Sequence, residues 1–98
     1  MKSESITLQK IEIKEPSLYR IVFLNDDVTP MDFVVVVLEN IYGFDKVSAS
    51  VKMMRIHNEG SAVIGTYSYS VAETKKVLTD NFSRKYGYPL QVKIEEDK

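Results

Sequence analysis

The sequence predicts an α+β domain, a two-layer sandwich in the order β-α-α-β-α-β with three helices packed on one face of a three-stranded sheet. Three observations carry that expectation. Short β-branched and aromatic runs, "LYRIVFL" and "AVIGTYSY", are separated by longer segments with helical spacing and capping residues. A C-terminal run alternates Leu90, Val92 and Ile94 with Gln91, Lys93 and Glu95, as a half-buried strand does. The 98 residues, 44% apolar and 28% charged, suffice for one core and not two.

Residues 1–18 come first. Ile6, Leu8, Ile11 and Ile13 are apolar, but their phase slips between Leu8 and Ile11, and Pro16 closes the segment. This reads as a flexible N-terminal extension, with a weak strand as the alternative, followed by a core domain over 19–98. Leu18 to Leu24 is the first strand. Asn25-Asp26-Asp27 then form a turn, and Thr29-Pro30-Met31-Asp32 opens a helix. Thr29 is its expected N-cap, Pro30 its first residue and Asp32 the acidic member of a capping box. Four consecutive valines favour a strand, yet the segment from Met31 to Tyr42 has the length of three turns and Gly43 to end it.

Asp45 is the expected cap of the second helix, with Val47, Val51 and Met54 as its inward stripe and Met53, Ile56 and His57 on an adjoining face. Ala62 to Tyr69 reads as the second strand, interrupted by Gly65. Ser70 to Glu73 reads as another capping box. It opens a helix with Val71, Thr74, Leu78 and Phe82 inward and Lys75, Lys76, Arg84 and Lys85 outward.

Composition narrows the function. A formal net charge of −1, from 13 basic and 14 acidic residues, supplies no field for nucleic acid or an anionic membrane. The absence of cysteine excludes disulfides and thiolate metal sites. A polar N-terminus and a longest apolar run of only Phe33 to Leu38 point to a cytoplasmic protein without membrane spans. One histidine and no glycine-rich phosphate loop or nucleophile elbow give no support to an enzyme, and no cofactor or metal is expected.

Taken singly, the polar residues at the strand–helix junction stay ambiguous. Asn25, Asp26 and Asp27 either satisfy orphan N–H groups at a helix entry or face a cation. His57 either caps a helix end or accepts a hydrogen bond, and Met31, Met53 and Met54 either fill core or line a site.

The combination of "YRIVFLNDDVTPMDFVVVVLE", "MMRIHNEGSAVIGTYSYSVAETK" and "GYPLQV" resembles the ClpS adaptor family, over Tyr19 to Ile94. Members of that family deliver proteins bearing a bulky N-terminal residue (Leu, Phe, Tyr or Trp) to a ClpA- or ClpC-type unfoldase with ClpP. The resemblance implies α-amino contacts from Asn25, Asp27 and His57, with Asp26 adding negative field. It implies a side-chain pocket of Thr29, Met31, Val34, Met53, Ile56 and Leu90, and unfoldase contacts at Glu73 and Lys75. The implied partners are N-degron proteins and the unfoldase, with no nucleic acid or membrane, and the chain is expected to act as a monomer. Val28 and Ser70 depart from the family pattern, which carries an aromatic and an acidic residue there. A generic interaction domain of the ribosomal stalk type, without amine recognition, is the alternative; a hydrolase using Asp27 and His57 lacks a nucleophile.

Overall fold

A computed structural model describes residues 16–98. The extension expected over 1–18 therefore lies, up to residue 15, outside the described residues. The order is β1 (Leu18–Leu24), α1 (Met31–Asn40), α2 (Lys46–Glu59), β2 (Ser61–Tyr67), α3 (Tyr69–Lys85) and β3 (Gln91–Asp97). The strands form one antiparallel sheet in the order β2-β1-β3, so β1 is central.

Period-two alternation decides the layers. Ile21 and Phe23 of β1 are fully buried and meet Val34, Val37 and Leu38 of α1, Ala49 and Ile56 of α2, and Ala72 of α3 in one cluster. All three helices therefore cover the same face. On the opposite face Arg20 pairs across to Glu95 and Asp97 of β3, at 3.5 and 3.1 Å. Such exposed pairs contribute at most about 1 kcal/mol.

Gly65 does interrupt the second strand. The register runs Ile21 to Gly65 and then Val22 to Val63, leaving Ile64 as an extra, buried residue. The Tyr67 side chain lies across Gly65, where an added Cβ would stand 2.5 Å from its hydroxyl. Any larger residue there displaces Tyr67.

Both expected apolar stripes are rotated away from the core. Val47, Val51 and Met54 of α2 are exposed, and Val71 and Leu78 of α3 are exposed as well. The inward residues are Ala49 and Ile56 on α2, and Ala72, Thr79 and Ser83 on α3. On α3 the buried face is small, which lets that helix lie close against its neighbours, whereas α2 buries the bulkier Ile56 beside Ala49. Phe82, expected inward, does pack against the core from a half-buried position.

The caps divide similarly. Asp45 caps α2, accepting from the Ser48 N–H at 2.7 Å and the Ser48 hydroxyl at 3.2 Å. α1 ends at Asn40, and Gly43 turns the chain with φ +74°. The N-cap of α1 is Pro30 rather than Thr29, and no side chain caps it. The cap of α3 is Ser68 rather than Ser70. Ser70 lies within the first turn, with its carbonyl accepting from the Thr74 hydroxyl.

Lys75, expected outward, is half-buried. Its ammonium donates to the Ile41 carbonyl at 2.9 Å and sits over the rings of Tyr42 and Tyr67, at 5.3 and 5.4 Å. Thr79 donates to the Lys75 carbonyl at 2.7 Å, so the Tyr42 hydroxyl, 2.8 Å away, is the donor to Thr79. Burial pushes the Tyr42 phenol up to about 12. The chain Tyr42–Thr79–Lys75–Ile41 fastens the end of α1 to α3.

Candidate functional site

The site forms where β1 hands the chain to α1, beside the end of α2. Gly60 caps α2 in the left-handed region (φ +90°), its N–H donating to the Ile56 carbonyl at 2.9 Å. The Gly60 carbonyl in turn accepts from the Asn25 N–H, also at 2.9 Å. That pair of bonds brings Asn25 alongside the last turn of α2, which carries His57.

Asp26 builds the loop. Its Oδ1 accepts from the N–H groups of Val28 at 2.8 Å and Thr29 at 2.6 Å, and its Oδ2 from the Thr29 hydroxyl at 2.8 Å. Partial burial raises its carboxyl, but these bonds outweigh that effect, helped by the charge of Arg84, and leave it below the usual carboxylate range. Thr29 is thus held by Asp26 instead of capping α1, because the turn reaches the carboxylate before the helix begins.

A depressed folded-state value means that Asp26 contributes stability above its unfolded value of about 3.8, lost as pH falls through the folded value. Asp26→Asn should lower stability at neutral pH and flatten the acid limb of the stability profile. Parallel acid limbs in urea melts of the two proteins would contradict that role.

These elements enclose a hollow of about 270 Å³, counting its open mouth, lined by Leu24, Asn25, Asp26, Thr29, Met31, Val34, Met53, Ile56, His57 and Leu90. Its floor is apolar and deep: Val34, Ile56 and Leu90 are all but inaccessible. Its rim is wet, with Asn25, Met31 and His57 exposed.

Every residue expected in the side-chain pocket lines this hollow, and so do Asn25 and His57. Asp27 does not; it is exposed, while its neighbour Asp26 lines the space. The turn decides between them: the Asp26 carboxylate folds back onto Val28 and Thr29 beside the hollow, and Asp27 stays outside it. Leu24 joins the lining without having been singled out. As the last β1 residue before the turn, its position was available to find it. Glu73 is exposed on α3, accepting from the Tyr69 hydroxyl at 3.3 Å. Among the described residues no cluster of His, Asp and Glu could hold a metal ion, and no helix is long and apolar enough to cross a membrane.

Comparison with known proteins adds independent findings. A family model described as "ATP-dependent Clp protease adaptor protein ClpS" matches residues 14–93. The ClpS adapter of Ruegeria pomeroyi is 43% identical, aligned over 95% of this chain and 83% of its own. That of Caulobacter vibrioides (strain NA1000) is 42% identical over 97% and 87%. Among solved structures, Agrobacterium tumefaciens ClpS2 bound to L-phenylalaninamide superposes with a TM-score of 0.82 at 35% identity, covering 85% of this chain and all of that one.

Proposed function

This chain belongs to the ClpS family of Clp protease adaptors, a family without catalytic activity, and from that premise we propose that its hollow grips the first residue of a substrate protein by both its free amine and its side chain. The bound substrate is then handed to a Clp unfoldase. L-Phenylalaninamide, the ligand of the similar A. tumefaciens protein, carries a free α-amine and an amide in place of a carboxylate. It thereby stands for an N-terminal phenylalanine.

One observation supports this reading above the others: polar acceptors occupy one rim of a hollow whose floor is apolar. An α-ammonium has three N–H donors and needs acceptors from different directions. The Asn25 amide oxygen, the Asp26 carboxylate and a neutral His57 nitrogen supply them. Oδ2 of Asp26 accepts only the Thr29 hydroxyl among the described contacts, which leaves a lone pair for the ammonium. Asp27, outside the hollow, adds negative field at longer range.

Magnitudes require both halves. Burying a Leu or Phe side chain contributes roughly 1.5–3 kcal/mol. Each charge-assisted hydrogen bond adds about 1.5–3 kcal/mol before the entropy of association is subtracted. Micromolar binding needs about 8 kcal/mol.

Met31, 43% exposed at the mouth, sets selectivity by crowding any branch at the substrate's β-carbon. Fluorescent peptides differing only in residue one test this: Leu, Phe, Tyr and Trp bind, and Ile and Val bind worse. Met31→Ala should bring Ile within about threefold of Leu, since one methyl's contact amounts to less than 1 kcal/mol. Continued exclusion of Ile by the variant would refute the steric account.

Family membership implies a ClpA- or ClpC-type partner, and we place the chain with it as a cytoplasmic monomer. Glu73 is the more available of the two candidate unfoldase contacts, because the Lys75 ammonium already engages the Ile41 carbonyl. Residues 1–18 are proposed as an extension to the core, taking part in the handover.

A further inference from the structure

Leu90 is the deepest residue of the hollow, at 1% exposure, yet it lies outside regular structure, one residue before β3. Its neighbour Pro89 has no N–H and cannot anchor the backbone by donating a hydrogen bond. The anchor comes from α3. Nη1 of Arg84 donates to the Tyr88 carbonyl at 2.7 Å and to the Leu90 carbonyl at 3.2 Å, so one guanidinium grips the chain on both sides of Pro89. The turn beneath is fixed by Gly87 (φ +78°) and by the Tyr88 N–H, which donates to the Ser83 carbonyl at 2.9 Å. The charge of Arg84 also reaches Asp26, which lines the same hollow.

We propose that Arg84 is a positioning residue for substrate selection: its grip on the Tyr88 and Leu90 carbonyls holds Leu90 as the pocket floor and so sets how tightly a large first side chain is held. The proposal rests on the amine-and-side-chain reading above. Arg84 touches no substrate in this role. It acts because a floor that must be ordered on binding subtracts that cost from affinity, whereas a fixed one does not. The penalty for losing it therefore scales with contact to Leu90 and spares the amine.

The test uses the full chain as wild type, Arg84→Met and Arg84→Lys. Lysine keeps the charge near Asp26 but its ammonium ends one bond short of Nη1, the atom that makes both contacts. Peptides beginning with Phe, Leu or Ala are compared, each free and N-acetylated. Both variants should weaken Phe and Leu peptides about tenfold, as expected for losing one charge-assisted contact, and leave Ala peptides unchanged, with acetylation still disruptive. Unchanged Phe and Leu affinities in Arg84→Lys would overturn the proposal, as would an equal loss for Ala, and Arg84→Lys decides the matter if Arg84→Met fails to fold. A wild-type protein indifferent to acetylation would instead overturn the amine reading itself.

Discussion

His57→Ala is expected to weaken binding of peptides with a free N-terminal Leu or Phe by about 10- to 100-fold, the equivalent of one charge-assisted hydrogen bond. The fold should tolerate the change. His57 is exposed in the last turn of α2, where a basic side chain contributes no more than about 1 kcal/mol through the helix dipole. Anisotropy titrations of both proteins at neutral pH check this. A variant affinity within about twofold of wild type would make His57 a structural residue only.

Leu90→Ala carries the largest expected effect on stability. Leu90 belongs both to the core cluster and to the hollow, so truncation should destabilise by about 2–5 kcal/mol, measured by urea unfolding. Where the variant remains folded, the deeper floor should shift preference from Leu toward Trp at residue one. Destabilisation below about 1 kcal/mol would mean that the turn before β3 collapses into the gap. Leu90 would then not be the rigid floor described above.

Much of this architecture was legible in the residues. The first strand is legible from its β-branched and aromatic run and the last from its alternation, because one face of the sheet is buried and punishes any slip of one residue. The Asp45 cap and the Gly43 turn were readable because each is a local event within three or four residues. The helix faces were not. Val47, Val51 and Met54 recur at the same helical spacing as a core stripe, and nothing local distinguishes them from Ala49 and Ile56 on the other side of α2. How α2 docks on α1 and β2 chose the face that carries Ala49 and Ile56, and that is a tertiary fact.

The pocket shows the same division. Its histidine and its apolar residues other than Leu24 are legible from motif positions, and the structure gathers them around one space. Which aspartate faces that space depended on the turn, where Asp26 folds back onto Val28 and Thr29 and Asp27 is left pointing away. The roles of Arg84 and Lys75 were hidden because both act on backbone carbonyls of other segments, partners with no sequence signature.

The central claim is that the rim reads a charged amine while the floor reads a side chain. The most direct measurement is a paired titration of one Leu-initiated peptide, free and N-acetylated, against the full chain. Acetylation removes the charge and two of the three donors but leaves the leucine intact, so affinity should drop by about 100-fold or more. Equal affinity for the two peptides would contradict the account.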